Sequence, residues 1–376
     1  MISLLRNATW PLVARILLKT AGLFVLLNLL FAWAAPTEAL GQLSLYNHLW
    51  PGRPRLPYGE DVQKSYNLSL YNIPAMFHSH ELSRPKAEDE FRVIVMGDSA
   101  TWGWFLQNEE TLTGRLNRAG YTIAGQRLVF YNLGYPVMSL TKDLVLLDEA
   151  MHYAPDMILW PVTLESFARA RQMTHPLLQN NLARAQQCLP PALAPHPPQT
   201  NLYQRSIVGQ RRKLANLIRL QTVGLAWAAT GIDQAIPQEI PLRQTDLPAD
   251  ESWKELAAPT TLNSDLLALD VLAAGIARAG DIPVLVVNEP MFISNGQNSN
   301  RRYNSFYPRW AYDQYRTLLA RTAQQQGWDY LDVWDSIPPQ EFTDTPVHLT
   351  PAGEQMLADL LGPALVQRAV AKHAVK

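Results

Sequence analysis

Hydrophobic and polar positions divide the chain into three regimes. Residues 16–35 are interrupted by a single charge, Lys19, with Arg6 and Arg15 before them and no acid until Glu38. Such a run is long enough to cross a bilayer, and basic residues on its N-terminal side place the remainder outside the cytoplasm. A cleaved signal peptide is the alternative, because residues 21–35 have signal-core length and Ala32-Trp33-Ala34 resembles a small-x-small cleavage site. The uncleaved anchor is preferred, since Lys19 can extend its ammonium toward the interface. Residues 41–90 read as a Pro- and Tyr-rich connector packing on the core, and the alternation in SYNLSLYNIPAMF predicts an edge strand or a stalk.

From residue 91 to 376 the pattern changes again. Short apolar runs at 91–96, 128–133, 157–162, 282–288 and 330–333 alternate with helical stretches. That alternation predicts an α/β domain with a five-stranded parallel sheet covered by helices on both faces. About 115 residues separate the third run from the fourth, far beyond an ordinary crossover, so a helical insertion is expected at about 165–280. It contains a Pro-rich break at 190–198, an apolar helix around 214–232 and a helical run over 262–278. A cap over the site, or a surface docked on the membrane or a partner, fits that composition. Thr350-Pro351 opens a last helix, Thr as N-cap and Pro at the first helical position.

Composition narrows the possible partners. The 376 residues are 47% hydrophobic, enough for one large core or two modest ones. Lys plus Arg number 32 against 33 acids, which argues against a nucleic-acid partner. Cys188 is the sole cysteine, so neither a disulfide framework nor a thiolate metal site is expected. The segment 97–103 has no P-loop lysine and no histidine cluster has ligand spacing; no cofactor and no metal are implied.

The candidate chemistry begins where the first apolar run, FRVIVM, opens into Gly97-Asp98-Ser99 and a helical start. A side chain there stands at the carboxyl edge of the sheet, beside a helix N-terminus that favours developing negative charge. A serine hydroxyl needs a neutral imidazole to take its proton and usually a carboxylate to orient that imidazole. His348 and Asp344 in FTDTPVHLTPAG can fill those roles, with Asp332 and Asp335 as alternative acids.

The order of GDSATWG, then LVFYNLGYPVMS with Asn132 and Gly134, then the late Asp344 and His348 resembles the SGNH (GDSL-type) hydrolase superfamily, in its membrane-anchored bacterial envelope form. The resemblance implies a flavodoxin-like three-layer sandwich. It also implies Ser99 as nucleophile, Asp344 and His348 as its partners, and an oxyanion hole from Ser99 and Gly134. Where the family places an Asn after the third strand, this chain offers Thr163 or Glu165, and only Thr can donate a hydrogen bond. Asp344 precedes His348 by four residues rather than the family's three. Asp98, Trp102, Glu165 and Glu289 are the candidates for substrate contact. The implied activity is that of an esterase or O-acyltransferase on acyl, chiefly acetyl, esters of envelope glycans, with a membrane partner supplying acyl groups in the transferase case. A non-catalytic binding or assembly module on the same fold is the alternative.

Asn288-Glu289-Pro290 also looks like the acid/base motif of retaining glycosidases with (β/α)8 barrels. That chemistry needs eight strand-helix units and a second carboxylate about 5 Å away, and only five strands are read here.

Overall fold

The computed structural model describes residues 10–42, 45, 49–50, 52–58, 72–190, 193–194, 200–219, 221–222, 225–230, 234–257 and 259–375. Its sheet contains β1 (Glu90–Val95), β2 (Thr122–Ile123), β3 (Gln126–Asn132), β4 (Met157–Val162), β5 (Val284–Asn288) and β6 (Asp329–Asp332). They lie in the order β2-β3-β1-β4-β5-β6, with β2 antiparallel to β3 and every other pairing parallel. Counting the parallel strands alone gives 2-1-3-4-5, the flavodoxin-like order, whose switch point lies between β1 and β4. The sheet thus has six strands rather than five. β2 escapes the sequence pattern because it is two residues long and joins β3 through the tight turn Ala124-Gly125, both with positive φ.

The principal helices are α1 (Trp10–Ala34), α2 (Ser99–Trp102), α3 (Leu112–Ala119), α4 (Leu140–Ala150), α5 (Ile207–Arg219), α6 (Leu269–Ala279), α7 (Arg309–Gln326) and α8 (Pro351–Val375). Strand periodicity sends alternate side chains to opposite faces. Ile94, Ile158, Trp160 and Val286 therefore join a core with α4, α6 and α7, while Val93, Val95, Leu159 and Leu285 join a second core with α3 and α8. These two apolar layers make the central strands buried throughout and hold their carboxyl ends in fixed register.

α1 is about 37 Å long at 1.5 Å per residue and carries a single buried residue, Ala32. It is long and apolar enough to cross a membrane. Asn28 on it accepts a hydrogen bond from Val208 N–H at the start of α5 (3.2 Å).

The connector and insertion differ from expectation in detail. Residues 59–71, most of the alternating segment, lie outside the described residues, as does most of the 190–198 break. Its tail is a helix, Ile73–His78, because Asn72 caps it by accepting from Ala75 N–H (2.9 Å). The insertion helix begins at Ile207 rather than 214 and ends at Arg219, since the Ser206 hydroxyl accepts from Gly209 N–H (3.2 Å) and starts it early. Leu225–Ala228 is a separate turn of helix. α6 starts at Leu269, because Leu262 and Leu267 reach the core from irregular chain, Leu267 bridged to Ala168. The descending limb, residues 234–254, is strapped over the sheet edge. Gln234 donates to the Gly103 and Leu106 carbonyls and accepts from Phe105 N–H, while Arg243 donates to the Phe342 and Thr343 carbonyls.

Candidate active site

β1 ends at Val95 and the chain turns through Gly97, whose φ of 137° suits glycine alone and whose Cβ, if present, would collide with the Thr101 side chain. Asp98 caps α2 by accepting from Ala100 N–H (2.7 Å). Ser99 is thereby the first residue of α2, where a backbone N–H has no intrahelical acceptor. Arg55 of the connector anchors the far side of this corner. Its guanidinium donates to the Gly103 and Leu106 carbonyls and to Asn108, and lies 4.7 Å over the Trp102 ring.

The loop before α8 brings the late residues to that corner. Thr350 caps α8, accepting from Gly353 N–H (3.0 Å), and Thr343 N–H donates to the His348 carbonyl, closing a tight loop. His348 Nε2 lies 2.7 Å from Ser99 Oγ and Nδ1 lies 2.8 Å from Asp344 Oδ1. The four-residue spacing is accommodated because the loop turns through Thr345, whose hydroxyl accepts from His348 N–H (3.2 Å). Burial raises the Asp344 carboxyl, but the hydrogen bond and charge of His348 outweigh it and hold the group below the usual carboxylate range. Asp332 faces elsewhere, paired with Arg316 (2.8 Å) and accepting from Asn288.

A groove of about 400 Å³ runs past Ser99, His348 and Asp344. Its apolar walls include Tyr58, Trp104, Val137, Met138 and Phe306. Trp104 stacks on the His348 ring at 6.2 Å between centroids. A second, more polar pocket of about 370 Å³, lined by Asp250, Ser252, Lys254 and Arg302, shares Glu165 and Phe306 with the groove.

The other candidates are placed less uniformly. Glu165 lines the groove and is ion-paired to Lys254 of the insertion. Trp102 does not reach the groove: it is buried with its indole N–H on the Leu56 carbonyl (2.8 Å), and the half-buried Trp104 lines the groove instead. Asp98 points into the protein, where burial raises its carboxyl against the attraction of Lys142. Glu289 lies with Glu354 on a small cavity of about 20 Å³, room for about one water, divided from the groove by Val347. Burial, then the nearby Asp98 and Asp143, push Glu289 well above its ordinary range, and one of its oxygens has no partner among the described residues. Gly134 packs so closely on α2 that a Cβ would collide with Trp102 N, yet its N–H donates to Asn132 Oδ1 (3.0 Å). Thr163 is fully buried and its hydroxyl donates to Tyr307 (3.1 Å).

Sequence reasoning missed Tyr58, Trp104 and Met138 as groove residues. Trp104 sat two positions from a residue it did single out, whereas Tyr58 arrives from a distant segment with no local signal.

No family profile matches the chain, and no curated protein does. Solved structures do. A protein of the lipolytic G-D-S-L family from Desulfitobacterium hafniense DCB-2 is 10% identical, with a TM-score of 0.36 over 73% of this chain and 98% of its own. A carbohydrate acetylesterase family member from Sinorhizobium meliloti is 12% identical, with a TM-score of 0.33 over 74% and 99%. The aryl esterase of M. smegmatis is 13% identical, with a TM-score of 0.34 over 73% and 97%.

Proposed function

We propose that the protein is a serine ester hydrolase or acyltransferase in which Ser99 is the nucleophile, His348 its general base and Asp344 the group that orients the imidazole. The observation that carries this reading is the relay from Ser99 Oγ to His348 Nε2 (2.7 Å) and from Nδ1 to Asp344 (2.8 Å), lying on an open groove. His348 takes the hydroxyl proton as Ser99 Oγ attacks an ester carbonyl, then returns it to the departing alkoxide, leaving an acyl-serine. Water resolves that intermediate in hydrolysis and a sugar hydroxyl in transfer. The Ser99 N–H is the oxyanion donor nearest to hand; Gly134 and Thr163 serve in that role only if they leave Asn132 and Tyr307.

The proposed substrate is an acyl ester of an envelope glycan, acetyl above all. The length of α1 and the basic residues Arg6, Arg15 and Lys19 toward its N-terminal end support a membrane-held catalytic domain outside the cytoplasm. The acyl carbon would sit in the groove by Ser99 and the sugar in the adjoining pocket. The ionic groups there are already engaged, Lys254 with Glu165, the Asp250 carboxylate with Ser252, and Arg302 with the Asp250 and Ser252 carbonyls, which suits a hydroxylated rather than a strongly charged group.

The engaged Gly134 and Thr163 groups favour a second reading, a binding or assembly module that keeps the fold without turnover. Labelling the full-length protein with a fluorophosphonate separates the two. Loss of labelling in both Ser99→Ala and His348→Ala supports the enzyme; a folded wild-type protein that resists the probe favours the module.

A further inference from the structure

Lys142, on the first turn of α4, is fully buried, a placement rare for lysine unless the ammonium is completely partnered. The ammonium has two hydrogen-bond acceptors and one ion-pair partner. Nζ donates to the Gly97 carbonyl (2.8 Å) and to the Tyr135 carbonyl, and lies 2.8 Å from Asp143 Oδ1. The two carbonyls belong to the two loops that matter most to the site. Gly97 precedes Asp98 and Ser99 at the end of β1, and Tyr135 follows Gly134 at the end of β3. Tyr135 N–H also donates to the Gly97 carbonyl (2.9 Å), so one oxygen receives both a backbone and an ammonium donor. Asp143 is itself held by the Trp160 indole N–H (3.1 Å) on β4, which ties the clamp to the strand across the switch point from β1.

We propose that Lys142 is a positioning residue: its ammonium sets the spacing of the nucleophile loop and the Gly134 loop, and so the alignment of Ser99 with the groove. The inference rests on the reading of Ser99 as nucleophile. Helix α4 supplies the ammonium from behind, on the core face of both loops, where it touches no substrate. Misplacement of a reacting group by about 1 Å costs on the order of a hundredfold in rate.

A merely structural lysine and a positioning lysine predict different behaviour for a charge-balanced replacement. Lys142→Met leaves Asp143 buried without its counter-ion and is expected to be destabilised. The double variant Lys142→Met, Asp143→Asn removes both charges, keeps an oxygen for the Trp160 indole, and is expected to recover stability in urea unfolding. Fluorophosphonate labelling of the full-length chain in detergent should remain slowed about a hundredfold in the double variant. Hydrogen exchange should accelerate in residues 97–99 and 132–135 together and not in α8. A double variant with wild-type labelling and wild-type exchange overturns the proposal, and so does one that fails to fold, which would make the pair structural. If the wild type is not labelled at all, the hydrolase reading falls. The exchange comparison still decides the clamp, because unchanged protection in the two loops refutes it.

Discussion

Glu354 lets a pH dependence be worked out from the structure. It sits in the first turn of α8, 2% exposed, on the small cavity it shares with Glu289. Burial pushes its carboxyl up from 4.5 to about 8, with Arg115 opposing. In the unfolded chain the same group ionises near 4.5. The folded protein therefore holds a proton that the unfolded chain gives up, so stability is fully present below pH 4.5 and declines as pH rises toward 8. At 1.36 kcal/mol per pH unit, the span from 4.5 to about 8 corresponds to about 5 kcal/mol, an order-of-magnitude figure. Glu354→Gln imitates the protonated acid in shape and cannot ionise. Urea unfolding at pH 5 should find wild type and variant nearly equal. At pH 9 the variant should be several kcal/mol more stable, with a shifted midpoint and an unchanged slope. Glu289 is also raised well above its usual range, in part by the charge on Glu354, so removing that charge eases Glu289 as well and adds to the variant's gain at high pH in the same direction. Parallel loss of stability in the two proteins between pH 5 and 9 would show that Glu354 is already ionised when folded and refute the reasoning.

Three further outcomes follow from the site. Asp344→Asn should slow fluorophosphonate labelling by about 10³-fold or more with the fold intact, since an amide cannot stabilise the imidazolium; labelling at the wild-type rate would assign the orienting role elsewhere. Arg55→Met removes one donor each from the buried Gly103 and Leu106 carbonyls, which keep Gln234, together with the bond to Asn108, and should cost about 1.5 kcal/mol in urea unfolding, a loss below about 0.5 kcal/mol counting against the anchoring role of Arg55. Gly134→Ala forces a Cβ onto Trp102 N and should lower the melting temperature and abolish labelling together, whereas labelling retained in a stable variant would show that the loop can retreat.

Much of the architecture was legible because local chemistry and long-range packing ask for the same residues. The central strands are apolar on both faces since helices cover both, so 91–96 and 157–162 stand out in the sequence within a residue or so of β1 and β4. Elements held by few or irregular contacts were less visible. β2 is too short for a period, and Leu262 and Leu267 are apolar because they plug the core without being helical.

Ser99, Asp344 and His348 could be named from the chain because each stands beside a local punctuation mark, the Gly97 turn or the Thr350-Pro351 helix start, and those marks depend only on neighbours along the backbone. Their meeting across 249 positions is a property of the sheet, which delivers β1 and the α8 loop to one edge. Exposure was likewise decided in three dimensions. Trp102 and Trp104 are equivalent in composition, yet α2 turns one into the core and the left-handed turn at Gly103 sends the other onto His348. The burial of Glu289 and Lys142, the engagement of Gly134 and Thr163, and the arrival of Tyr58 and Phe306 at the groove all depend on which segments pack together. Hydrophobic period and turn residues encode each segment's own conformation, and the environment of a side chain is set by partners far away in the chain.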